Sequence, residues 1–345
     1  MNFALQWVAE EQQWGRMFPV KIAGLGYYLP ERCVDNEEIA QRLGISPDYI
    51  ERAAGVRERR YATTETTVSM AVAASCRALA AAQMDLDDLD VIVGASSAPQ
   101  QAIPCTAALT QRELGAPEGR SACFDINATC LSFAFALHAV GALIATGAYR
   151  NALIFSSEKA SCSINPNQPE SYVLFGDAAA AAIVTRSDEG EASAIHHARF
   201  ETHSSGADAT QILGGGTLHL PDDPTTTPEM NQFSMNGRAV FRQAGQLISP
   251  FLDRFFEETG WTRESVRTVI PHQASGHAVN LLTSRLGFTD EQVYLNLRDR
   301  GNCVAASIPL ALAEAVQAGR IERGDRVLLA GTGAGLTLGA LAMTY

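Results

Sequence analysis

Apolar and β-branched residues gather along this chain in short runs, separated by longer alanine-rich stretches. The runs VKIAGLG (20–26), DVIVGAS (90–96), NALIFSS (151–157), AAAAIV (179–184), VRTVIP (266–271) and RVLLAG (326–331) have the length and residue types of buried strands. Between them TVSMAVAASCRALAAAQ (67–83), CLSFAFALHAVGALIATG (130–147), MNGRAVFRQAGQLISPFLDRFFEET (235–259) and AASIPLALAEAVQAG (305–319) read as helices. Strands alternating with helices predict an α/β fold with largely parallel, buried sheets. Residues 204–230, rich in Gly, Pro, Thr and Asp and without helical period, predict a long loop or lid with a short strand near 217–220.

The pattern also repeats weakly. Cys130 opens a helix that ends in TG and is followed by AYRNALIFSS; Asn302 precedes a helix that ends in AG and is followed by RIERGDRVLLAG. Gly147 lies seventeen residues after Cys130, and Gly319 seventeen after Asn302. LDDLDVIVGAS parallels TRESVRTVIPHQ in the same way, although any α/β chain yields some such coincidences. Two halves would meet near the polar run SDEGE, giving an N-terminal extension 1–16, a first half 17–188 and a second half 189–345. The extension holds Trp7 and Trp14 among Glu and Gln, and Met17 is a candidate alternative start.

Composition narrows the class. With 46% hydrophobic and 19% charged residues the chain can bury a full-sized core. No run approaches eighteen apolar residues and the N-terminus lacks the order of a signal peptide, so the expectation is a cytoplasmic protein without a membrane span. A formal charge of −12 disfavours nucleic acid as a partner, because phosphate neutralisation needs a basic surface. Seven cysteines without a CxxC pair argue against a disulfide framework and a thiolate metal site, and most are expected to be buried, inert thiols.

Three residues carry candidate chemistry. Cys130 follows the strand-like ACFDI and the turn NAT and opens an apolar helix, where the macrodipole and free N–H groups would favour a thiolate. The alternative is a small buried hydrophobe at a strand–helix junction. His272, in PHQAS, ends a strand-like run, where α/β proteins place their sites; a structural histidine is the alternative. Asn302, in DRGNCVAASIP, lies in a turn before a helix, which a simple cap also explains. The glycine-rich GTGAGLTLG is followed by a strand-like run and so does not read as a dinucleotide loop.

DINATC, FGDAAAAA, PHQAS, GNCVAASIP and GTGAGLTLGALAM occur in the order and spacing of β-ketoacyl-ACP synthase III, which the chain resembles from about Val20 to Tyr345. That resemblance implies a thiolase-like, five-layered αβαβα fold of two similar halves, with Cys130 and Asn302 at the start of matched helices. It implies Cys130 as the acylated nucleophile, His272 and Asn302 as donors to the enolate of a decarboxylating malonyl thioester, and the N–H groups of Cys130 and Ala334 as an oxyanion hole. The substrates would be an acyl-CoA and malonyl-ACP or malonyl-CoA, with no other cofactor and no metal. An acyl carrier protein would be a partner, and the protein a homodimer. Relatives that condense without decarboxylating first carry a glutamate base, which in the head-to-head fatty acyl condensing enzymes lies just before a proline; here that place is Ile103, which cannot take a proton.

The same position often holds an aromatic residue that limits the acyl pocket from across the dimer, so Ile103 implies room for a longer chain. Where the housekeeping enzymes hold CoA with Trp and Arg, this chain has Tyr49 and Ala53, with Arg52 displaced by one place. Gly237, Arg238, Phe241, Arg242 and Arg285 are the remaining candidates for pantetheine or carrier contacts, and Ser275 and His277 replace the asparagine and the basic residue after PHQA. Two other readings stand beside the ketosynthase: acyl transfer without carbon–carbon bond formation, and a non-catalytic partner subunit, against which the intact Cys, His, Asn set argues.

Overall fold

The computed structural model describes residues 17–345; the expected N-terminal extension, with Trp7 and Trp14, lies outside the described residues. One sheet is built from β1 (Val20–Tyr28), β2 (Val91–Gly94), β3 (Ala122–Asp125), β4 (Asn151–Glu158) and β5 (Ala178–Arg186), in the order β1-β5-β4-β2-β3. A second is built from β6 (Ala194–Thr202), β7 (Thr268–Pro271), β8 (Arg326–Gly333) and β9 (Thr337–Thr344), in the order β7-β8-β9-β6.

The sheets are mixed, not largely parallel. β2 runs parallel to β3 and β4, and β7 to β8, but the pairs β1–β5, β4–β5, β8–β9 and β6–β9 are antiparallel. Continuous apolar runs signalled strands buried on both faces, and burial does not reveal strand direction. The short strand expected at 217–220 is also absent; Thr210–Gln211 pairs instead with Ser234–Met235, just before a long helix.

Helix α1 (Thr67–Ala82) lies against the first sheet, its Thr66 cap and Ser69 forming a reciprocal capping box and Val68, Ala71, Ala74, Ser75 and Ala78 facing inward. Helices α2 (Ser132–Ala145), α3 (Gly237–Thr259), α4 (Gly276–Leu286) and α5 (Ser307–Gln317) follow. α3 covers the second sheet through Phe251, Leu252 and Phe255. α2 and α5 lie between the sheets, and α5 is buried without a break from Ser307 to Ala315, as a helix apolar on all sides should be. The layers therefore run helix, sheet, helix, sheet, helix.

The two sheets carry the same local devices. Asp85 and Thr262 each cap a short 3-10 turn with a reciprocal box, feeding β2 and β7. The counterpart of β3 in the second sheet has shrunk to one bridge, Val269 to Val293. Thr129, at φ 53°, and Val304, at φ 50°, open the 3-10 turns Thr129–Leu131 and Val304–Ala306 that lead into α2 and α5. The helices match as expected, but in a different register: Thr129 corresponds to Val304, Cys130 to Ala305, and Asn127, not Cys130, to Asn302. A β-branched residue in the left-handed region costs about 1–3 kcal/mol. In both turns an asparagine offsets it, since Thr129 N donates to Asn127 Oδ1 and Val304 N to Asn302 Oδ1, each at 2.9 Å.

Candidate active site

A cavity of about 1290 Å³ opens where the ends of the two sheets meet, and Cys130, His272, Asn302 and Ala334 all line it. His272 continues β7, its N–H donating to Ala330 O at 2.8 Å. It packs so closely on β8 that a Cβ at Gly331 would lie 2.5 Å from the His272 Cβ. Gly333 serves the nucleophile's turn similarly, since a Cβ there would come within 2.6 Å of Thr129 Oγ1 and 3.1 Å of Ala128 O. These two glycines let one strand carry His272 and the Cys130 turn on its flank.

Burial pushes the Cys130 thiol up to about 12, with the Glu158 charge adding to it, while the nearby backbone amides of Cys130 and Ala334 act the other way. The thiolate expected from the helix dipole is therefore not favoured in the resting site. The helix proper begins only at Ser132, and a helix terminus is worth about 1–2 kcal/mol at most, too little to offset desolvation. Burial lowers His272 to about 4, so its ring is neutral at pH 7; its Nδ1 is enclosed and has no partner among the described residues. Asn302 is a cap and a cavity residue at once: its Oδ1 holds Val304 while its Nδ2 reaches Ala274 O at 3.4 Å.

Gly237, Arg238 and Phe241, at the start of α3, line the cavity, as do Ala53, Ser275 and His277, whose Nδ1 lies 3.0 Å from Ala53 O. Tyr49, Arg52, Ile103, Arg242 and Arg285 stand outside its wall and are exposed, Ile103 to 83%. Of the seven cysteines Cys303 is fully buried and Cys105, Cys123 and Cys130 are half-buried; Cys33, Cys76 and Cys162 are exposed, contrary to expectation, and Cys162 faces the cavity.

Sequence reasoning missed Glu158. It ends β4, is 3% exposed and lines the cavity, and burial raises its carboxyl to about 7 against the hydrogen bonds it accepts. The repeat held the signal: the SSE that closes β4 stands opposite the GTG that closes β8.

Two mixed sheets enclosing a pair of buried helices, with a cysteine, a histidine and an asparagine converging at the sheet ends, define a thiolase-like condensing enzyme. The family model described as 3-oxoacyl-[acyl-carrier-protein] synthase III matches residues 124–204, and that for its C-terminal part matches 256–345. β-Ketoacyl-[acyl-carrier-protein] synthase III of Neisseria gonorrhoeae is 34% identical over 328 residues, 94% of this chain and 99% of the relative; that of Aquifex aeolicus is 35% identical over 325 residues, again 94% and 99%. The Aquifex aeolicus crystal structure superposes with a TM-score of 0.86 at 34% identity, over 94% of this chain and 100% of that one. The priming β-ketosynthase of the R1128 polyketide pathway gives 0.85 at 29% identity, over 94% and 96%. The chain belongs to the β-ketoacyl-ACP synthase III family. Among the described residues no helix is long and apolar enough to cross a membrane.

Proposed function

We propose that the protein condenses an acyl thioester with malonyl-ACP to a β-ketoacyl product, with loss of CO2, using Cys130, His272 and Asn302. The observation that carries this is one shared cavity: Cys130 and Ala334, whose backbone amides lie beside the sulfur, line it together with His272 and Asn302. Cys130 attacks the donor thioester, the carbonyl oxygen becomes an oxyanion beside the amides of Cys130 and Ala334, the carbon–sulfur bond to the donor breaks, and the S–H proton leaves on the donor thiol. One such donor is typically worth ~3–4 kcal/mol in the transition state. Because the resting thiol is protonated, attack is coupled to transfer of its proton to the departing thiolate.

In the second half-reaction the malonyl C–COO⁻ bond breaks, its electron pair forms the enolate, and the enolate carbon attacks acyl-Cys130, which expels the sulfur. Asn302 Nδ2–H and the His272 nitrogen that faces the thioester oxygen donate to it as charge develops. No base is needed to strip a C–H proton, and none is placed at Ile103. The donor arrives as acyl-CoA past the short helix Pro47–Ala54, where Tyr49 and Arg52 are exposed, and Arg238, Arg242 and Arg285 offer basic contacts to an acidic carrier protein. Ile103, being exposed, is free to complete the acyl pocket of a second copy in a cytoplasmic homodimer. Incubation with acyl-CoA and malonyl-ACP tests the reaction: CO2 release matched by β-ketoacyl-ACP supports it, and acyl transfer without CO2 contradicts it.

A further inference from the structure

Glu158 takes no part in these steps, yet its carboxylate sits where the two active-site turns meet. It accepts from Ser97 N at 2.5 Å and from Ser97 Oγ at 2.7 Å. The Ser97 carbonyl in turn accepts from Asn127 Nδ2 at 2.8 Å, and Asn127 Oδ1 holds the N–H of Thr129, the neighbour of Cys130. On the other side the strand that Glu158 ends packs against the Val304–Ala306 turn, and the Ala305 amide beside the carboxylate favours its charged form; Ala305 is next to the Val304 that Asn302 caps. One buried carboxylate thus links the backbone of the nucleophile's turn to that of the Asn302 turn. At the matching place in β8 stands Gly333, so the repeat supplies this link only once.

We propose that Glu158 is a positioning residue for the condensation, holding the Cys130 and Asn302 turns in the mutual register that carbon–carbon bond formation requires. Both its oxygens are engaged by Ser97, one by the amide and one by the hydroxyl, which fits a positioning role. The inference rests on the roles assigned above to Cys130 and Asn302. As the carboxylate it accepts from both Ser97 donors and faces the Ala305 amide; once protonated it carries an O–H that faces them, and the link weakens. The titratable groups around it are Asp177 at the start of β5, Cys130, Cys162 and Cys303, while Lys159 turns away to Glu65 O at 2.9 Å. Asp177 is itself held by Ser161 and the Ala62 N–H.

The test uses the whole enzyme with Glu158→Gln and, separately, Ser97→Ala. Condensation kcat and donor KM are measured beside the pH profile of iodoacetamide alkylation, followed on the Cys130 peptide because Cys162 also faces the cavity. Glu158→Gln should lower kcat at least tenfold with KM within twofold, while the alkylation profile moves to lower pH because a negative charge beside the thiol is gone. Ser97→Ala should lose less in the same direction. A kcat within twofold of the parent, or kcat and Cys130 alkylation falling together, would overturn the proposal. If Glu158→Gln does not fold, Ser97→Ala decides, and an unchanged kcat there overturns it. Should the parent form no acyl-Cys130, the nucleophile reading fails, and the alkylation shift still reports whether Glu158 governs this thiol.

Discussion

The turn before α2 and the turn before α5 share one backbone design. Each begins with an asparagine whose Oδ1 holds the N–H of a β-branched residue at positive φ, continues through a 3-10 turn and enters a buried helix at a serine. Their side chains differ at a few places. The first turn has Cys130 where the second has Ala305, and Ala95 ends its neighbouring strand where His272 ends the other. Asn127 Nδ2 donates to Ser97 O at 2.8 Å and Asn302 Nδ2 to the matching Ala274 O at 3.4 Å, but of the two only Asn302 lines the cavity. A duplicated scaffold has thus been made asymmetric: one copy supplies the nucleophile, the other the donors, and the glycines of β8 bring them together.

Cys130→Ala makes the first turn resemble the second and carries the largest effect. Condensation and acyl-enzyme should fall below detection while the thermal midpoint stays within a few degrees, since Ala305 already fills the matching place; a covalent adduct on this variant's turn would refute the assignment.

Asn127→Ala and Asn302→Ala separate capping from catalysis. Each should lose about 1 kcal/mol of stability by denaturant titration. Asn302→Ala should also slow CO2 release from malonyl-ACP, by about 10²- to 10³-fold, whereas Asn127→Ala, which only loosens the link from Ser97 to Thr129, should slow condensation far less. Equal activity losses would erase the distinction.

His272 predicts a pH effect that Ala95 cannot have. Above its ordinary value of 6.5 the ring is neutral in both folded and unfolded chains. As pH falls from 6.5 toward about 4 the unfolded chain takes a proton that the buried ring refuses, so stability is lost in that window, by about 3 kcal/mol in full. Denaturant midpoints of His272→Ala should be flatter there than those of the parent.

Much of this was legible in the sequence because it is written in local chemistry. The strand-like runs, the capped helices and the PHQAS and GNCVAASIP motifs put Cys130, His272 and Asn302 at element ends, and the structure gathers them in one cavity. Strand direction was hidden because a strand buried on both faces looks alike either way. Matching the helix-end glycines sets the repeat three residues out of register, because α5, with 11 residues, is three shorter than α2, with 14. Thiol desolvation depends on what packs around Cys130 from distant segments, which a helix-start rule cannot see. Glu158 stayed hidden because a lone glutamate after a strand reads as a solvated end.

Gly333→Ala puts a methyl group where β8 leaves room for the Cys130 turn, although the equivalent place in β4 carries a glutamate. It should cost about 1–3 kcal/mol by thermal melting and slow acylation, since Thr129 and Ala128 must move. The smallest effect concerns the donor. If exposed Ile103 completes a deep pocket, octanoyl should outcompete acetyl by about tenfold, from burial of about 0.8 kcal/mol per CH2 less ordering costs. Ile103→Phe should shift the preference toward acetyl, as competition scored by acyl-enzyme mass would show.

The division of labour between the two turns is tested most directly by intact mass before and after malonyl-ACP is added to enzyme charged with an acyl-CoA. The account predicts one acyl group, mapped by peptide mass to Cys130, which disappears on addition of malonyl-ACP as β-ketoacyl-ACP and CO2 form, and which persists when Asn302 is alanine. An adduct on another residue, or a charged Asn302→Ala enzyme that discharges as fast as the parent, would contradict it.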